Sequence, residues 1–164
     1  MPATIVTAQP NRPAPFTSSY LVAITWPMVS VEFAMMLLNL NRAAVLQLLD
    51  EGQLLYAWDI RAHNACRSFL RVYSQSIVDY QSKTPDSAGS HTAVIESILP
   101  VMRGNPSTPA LCRVLGCDEK HVNKLGNENL IRFSRRGRRG KGHASIFSCN
   151  SIASFLEERR YPWN

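Results

Sequence analysis

The chain has 164 residues, 45% hydrophobic and 18% charged, a globular composition that excludes a disordered chain and allows one ordinary domain or two small ones. Its net charge of +6 is unevenly placed: Arg12, Arg42, Arg61, Arg67 and Arg71 are matched before residue 83 by Glu32, Asp50, Glu51, Asp59 and Asp79, so the whole excess lies beyond them. Such asymmetry points to a polyanionic partner held mainly by the second half.

Residues 1–19 carry Pro2, Pro10, Pro13 and Pro15 among polar residues, the composition of an arm. Residues 20–26 alternate and are rich in β-branched and aromatic types, which predicts a strand stopped by Pro27. That apolar run is too short to span a bilayer and no basic start precedes it, so a cytoplasmic, nucleoid-associated protein is expected rather than a secreted or membrane one. Ser30 suits the cap of a helix with Phe33, Ala34, Leu37 and Leu38 at helical spacing. After a break at 39–41, Asn41 suits the cap of a second helix, 42–51, with Val45, Leu48 and Leu49 inward and Gly52 as its left-handed end. Segments 54–60 and 68–73 read as short strands around the loop 61–67, and 74–81 as a helix. Residues 82–90 form a linker by composition, and 91–102 a further helix.

The pattern then begins again 77 residues later. Ser107 takes the place of Ser30, Leu111 of Ala34, Leu115 of Leu38, Cys117 of Leu40 and Asp118 of Asn41, while Val122 and Leu125 answer Val45 and Leu48. Glu128 and Asn129 fall on Glu51 and Gly52, and Ile131 and Phe133 on Leu54 and Tyr56. Beyond the loop the offset becomes 75, so that Phe147, Ser151, Ile152 and Phe155 answer Val72, Ser76, Ile77 and Tyr80. A length change confined to a loop is what a duplicated unit tolerates.

Helix, tight turn, helix ending in Glu-Gly or Glu-Asn, strand, basic loop, strand and short helix: this order resembles the excisionase and MerR-type winged helix-turn-helix domains. The likeness is carried by LLNLNRAAVLQLLDEGQLL (37–55), by VLGCDEKHVNKLGNENLIRF (114–133) and by IFSCNSIASFLEERR (146–160). It implies a mainly helical α+β fold with small β-wings, in two tandem winged helix-turn-helix domains (20–82 and 91–164) joined by a linker at 83–90. It also implies small prokaryotic or phage DNA-binding proteins: transcription regulators, recombination directionality factors or terminase small subunits.

In such a domain the second helix enters the major groove and the wing follows the backbone or an adjacent minor groove. The second copy offers Glu119, Lys120, His121, Asn123 and Lys124 on the exposed side of that helix; Asn pairs with adenine, Lys with guanine, and Glu accepts from cytosine. Arg132 precedes the wing SRRGRRGKG (134–142), where Arg135, Arg136, Arg138, Arg139 and Lys141, followed by His143, suit phosphates or a narrow minor groove. The first copy offers Arg42 and Gln47 on its helix and Arg61, His63, Asn64 and Arg67 in its loop, in nearly neutral surroundings. It either contacts DNA as well or serves protein contact, through exposed Met35, Met36 or Trp58, with a recombinase, a polymerase or another copy of the chain. Two binding modules would place their sites about one helical turn apart, or a multiple of it.

Metal and catalytic readings find less support. Cys112, Cys117 and His121 lack a second paired-cysteine motif, and the four uneven cysteines predict free thiols rather than zinc ligands or disulfides. His63, His91 and His143 lack nucleophile partners by spacing, Glu157 and Glu158 are adjacent and point apart on a helix, and no phosphate-cradling glycine motif precedes a helix. Neither an enzyme nor a cofactor is expected.

Overall fold

The computed structural model describes residues 26–82, 90–99, 104–136 and 144–161. The expected arm, nearly all of the 20–26 strand and of the linker, and the basic run from Gly137 onward lie outside these residues. Among the described residues the order is β1 (Met28–Ser30), α1 (Val31–Leu38), α2 (Arg42–Asp50), β2 (Ala57–Asp59), β3 (Leu70–Tyr73), α3 (Ser74–Ser82), α4 (His91–Ile98), α5 (Thr108–Leu115), α6 (Glu119–Asn127), β4 (Phe133–Arg136), β5 (Ala144–Phe147), α7 (Cys149–Glu158) and β6 (Arg160–Tyr161). The protein is thus a mixed helix and strand fold with two small antiparallel sheets, and none of its described helices is long and apolar enough to cross a membrane.

Local chemistry explains the two helix pairs. Ser30 Oγ accepts from the Phe33 amide at 3.1 Å, Asn41 Oδ1 from Ala44 at 2.9 Å and Asp118 Oδ1 from His121 at 2.7 Å. Each bond satisfies a helix-start amide that has no partner within the helix, an effect of about 1 kcal/mol. The turns pivot on left-handed residues, Asn39 (φ 52°) and Gly116 (φ 59°), and the second helices are followed by Gly52 (φ 68°) and Asn129 (φ 58°). Both helix pairs begin and end at positions 77 apart, from Val31 and Thr108 to Asp50 and Asn127. Their turn bonds repeat too: Leu40 to Met35 and Cys117 to Cys112, both 3.1 Å.

The correspondence slips by one residue before the strands. Leu54 and Ile131 still match, each donating its amide to the carbonyl six residues earlier, Leu48 and Leu125 respectively. Yet Ala57 faces Val72 as Phe133 faces Phe147, so Phe133 answers Ala57 and not Tyr56. The first unit absorbs its extra residue at Tyr56, which takes φ 65°. A strand that the sequence pattern did not suggest, β1, begins after Pro27 and runs to Ser30, pairing with β3. A proline just before a strand sacrifices no ladder bond, and its carbonyl here accepts from the Ser74 amide at 3.0 Å.

Two hydrophobic clusters form the interior. One belongs to the first unit, around Ala34, Val45, Leu49, Ala57, Val72 and Ile77. The other gathers Ile95, Leu111, Val122, Leu125, Phe147, Ile152 and Leu156 of the second unit but also Met28, Trp58 and Ile60 of the first. Trp58, expected as an exposed contact residue, is 0% exposed within it, and Met35 is half-buried. The last described strand completes the joint: β6 pairs with β2, giving a four-stranded sheet in the order β1-β3-β2-β6.

Candidate nucleic-acid interface

Helix α6 buries Val122, Leu125 and Gly126. Gly126 sits so close to the next strands that a Cβ there would lie 3.0 Å from the Phe133 ring and 3.3 Å from that of Phe147. That contact clamps α6 onto the β4–β5 pair. Its open side presents Glu119, Lys120, Asn123 and Lys124, all exposed, with Lys124 Nζ 3.8 Å from Glu128 Oε1.

Arg132 is exposed and its amide donates to Ser151 Oγ at 2.9 Å. Arg135 and Arg136 were expected in the loop but stand on β4, opposite Ser145 and Ala144. The Arg135 guanidinium lies 5.7 Å above the Phe133 ring, which holds its stem against the sheet. Arg138, Arg139, Lys141 and His143 fall outside the described residues.

His121 departs from the expected open face. Its ring stacks on Phe69 of the first unit, centroids 4.1 Å apart at 15°, and its Nε2 donates to the Ile60 carbonyl at 2.7 Å. Burial, the largest cause, pushes its pKa below the ordinary value. A neutral imidazole with its proton on Nε2 fits both contacts. The first unit's loop therefore lies along one flank of α6.

The first unit's own candidates are spread out. Arg42 on α2 is exposed and paired with Glu32 at 2.7 Å, and Gln47 donates to Glu51 at 2.6 Å. Arg61 is braced by Asp59 at 3.3 Å, the His63 amide donates to Glu128 Oε2 at 2.7 Å, and Asn64 and Arg67 are exposed. Between this loop and α6 opens a cleft of about 370 Å³ lined by Arg61, Cys66, Arg67, Phe69, His121 and Lys124, among others.

The sequence offered no sign of Arg71, the residue that locks the units together. It is 7% exposed, and its Nε donates to the carbonyls of Leu115 at 3.1 Å and Gly116 at 2.9 Å, while Nη1 donates to Leu70 at 2.9 Å. Its guanidinium also covers Phe69 at 4.1 Å. The Gly116 turn closes on the first unit in return: a Cβ there would strike the Met28 carbonyl. Pairing a buried cation with the carbonyl end of α5 offsets part of its desolvation. Its pseudo-equivalent, Ile146, has no such chemistry.

The four cysteines are free thiols. Burial raises the pKa of Cys117 to about 12 and pushes those of Cys112 and Cys149 up as well. Among the described residues no three His, Cys, Asp or Glu side chains gather as a metal-holding group. No family model, no curated protein and no solved structure matches the chain.

Proposed function

We propose that this chain binds double-stranded DNA through two winged helix-turn-helix units in tandem, as a prokaryotic or phage transcription regulator or recombination directionality factor. The observation that carries this reading is the second unit's open surface. Lys120, Asn123 and Lys124 project from α6, which is clamped to a strand pair whose connection carries Arg138, Arg139 and Lys141. A nine-residue helix is about 13 Å long, a length the major groove accepts, and its Asn and Lys supply base-edge partners. The arginines of β4 and of its connection to β5 supply phosphate contacts, which position the helix.

Footprinting with a salt titration tests the proposal. Several phosphate contacts require affinity to fall by roughly 10³ or more between about 50 and 200 mM salt. A genomic fragment pool from which no sequence is enriched overturns specific recognition. A second reading, an adaptor that uses the same fold for protein contact, is favoured by Met36, 73% exposed on α1 in the nearly neutral unit. A salt-insensitive chain that captures no DNA fits that reading instead.

A further inference from the structure

We infer that the cleft between the first unit's loop and α6 is a binding site for the phosphodiester backbone, shared by both units, so that they contact one continuous DNA segment rather than two separate half-sites. The inference rests on the DNA-binding reading above and changes what the first unit does within it. Three cations from two distant stretches, Arg61, Arg67 and Lys124, line this one cleft of about 370 Å³. Their nearest acids are already committed: Asp59 accepts from the Arg61 and Phe69 amides and braces the Arg61 side chain, and Glu128 accepts from the His63 amide beside Lys124. Arg67 is exposed and has no ion-pair partner among the described residues.

The position follows from the helix. His121 faces the first unit's loop, and Lys124, three residues on, lies on the adjoining strip of α6 that turns toward its open face. A duplex seated on Lys120 and Asn123 then passes its backbone over the side where Arg67 stands. Contacts across the joint hold this geometry, since Phe69 packs against both His121 and the Arg71 guanidinium. The first unit's Arg42, paired with Glu32, does not line this cleft.

The full chain is measured against its Arg67→Gln variant by titrating DNA affinity with salt. The loss of one phosphate contact lowers the slope of log affinity against log salt by about 1, equally for all sequences. In parallel a thiol-directed photocrosslinker is placed on Cys66, the exposed cysteine that lines the cleft. Its crosslinks are expected inside the segment where Asn123→Ala alters base preference. If the wild-type chain binds but Arg67→Gln keeps its slope, or the crosslinks fall a helical turn or more away, the shared cleft is wrong and the DNA reading stands. If the wild-type chain shows no salt-dependent binding, both are wrong.

Discussion

The imidazole of His121 lies flat against the ring of Phe69, 4.1 Å between centroids, although 52 positions separate them in the chain. This stack, with the bond from His121 Nε2 to the Ile60 carbonyl, ties the N-terminal part of α6 to the first unit's loop. Phe69→Ala removes the stack and uncovers the Arg71 guanidinium. A fully buried Phe→Ala change costs 3–5 kcal/mol, and half-burial here brings the expected loss to about 2 kcal/mol. Urea unfolding of the full chain measures it; a change under about 0.5 kcal/mol would mean that the stack does not hold the joint.

The same imidazole makes the joint sensitive to acid. Burial chiefly, then Arg71 and Lys124, push its pKa below 6.5, against the opposing pull of the Ile60 carbonyl and Asp118. The unfolded chain therefore binds the proton more readily than the folded one. Stability from the neutral ring is fully present above about pH 6.5, declines as pH falls toward the folded-state pKa, and is level below it. His121→Gln removes that component, so the wild-type minus variant stability should shrink between pH 7.5 and 5. A difference independent of pH would show that the ring does not titrate on unfolding.

Which features the sequence revealed follows from the range of the forces involved. The caps Ser30, Asn41 and Asp118 and the left-handed ends Gly52 and Asn129 act within four residues, and each stands where periodicity placed it. The joint acts over 44 to 104 positions, in Arg71 to Leu115, in His121 to Ile60, and in β6 against β2, and no local pattern announces such pairs. Trp58 illustrates the difference. Its strand lies within the segment 54–60 read as extended, but which element would cover it was not legible, because the covering cluster comes from the second unit. His121 was assigned to the open face by helical spacing alone, and the loop that takes up its flank lies in the other repeat.

Gly116 and Gly52 separate backbone conformation from close approach. Both have φ in the left-handed region, but a Cβ on Gly52 meets nothing within 4 Å whereas one on Gly116 meets the Met28 carbonyl. Gly52→Ala should cost about 1 kcal/mol from backbone strain alone. Gly116→Ala should cost roughly 3 kcal/mol or more, since either the turn or β1 must move. Arg71→Met, which leaves the Leu115 and Gly116 carbonyls without their donor, should cost about 2–4 kcal/mol. Equal melting shifts for the two glycine variants would show that the Met28 contact is not tight.

The thiols offer a check on burial that needs no variant to begin. Cys66 is exposed, while the Cys117 thiol, its pKa raised to about 12, has about one molecule in 10⁴ ionised at pH 8. A thiol reagent on the native chain should react fastest at Cys66, a phase lost in Cys66→Ser, and slowest at Cys117, with the half-buried Cys112 and Cys149 between them. Rapid reaction of Cys117 would mean that the α5–α6 turn opens readily from the first unit.

The proposed DNA surface assigns reading to Asn123 and positioning to Arg135. Both are exposed and neither takes part in the joint, so truncating either leaves the interior intact. Asn123→Ala should remove about 1–3 kcal/mol of discrimination at one base pair while leaving the salt slope unchanged, the signature of a base-edge contact. Arg135→Ala should weaken all sequences alike and lower the slope by about 1, the signature of the phosphate contact proposed for its guanidinium. Selection from randomised duplexes measures the first and a salt titration the second. If the two effects exchange places, with Asn123→Ala lowering the slope and Arg135→Ala altering sequence preference, the strand pair and not α6 lies against the bases. The docking orientation proposed for the second unit then has to be reversed.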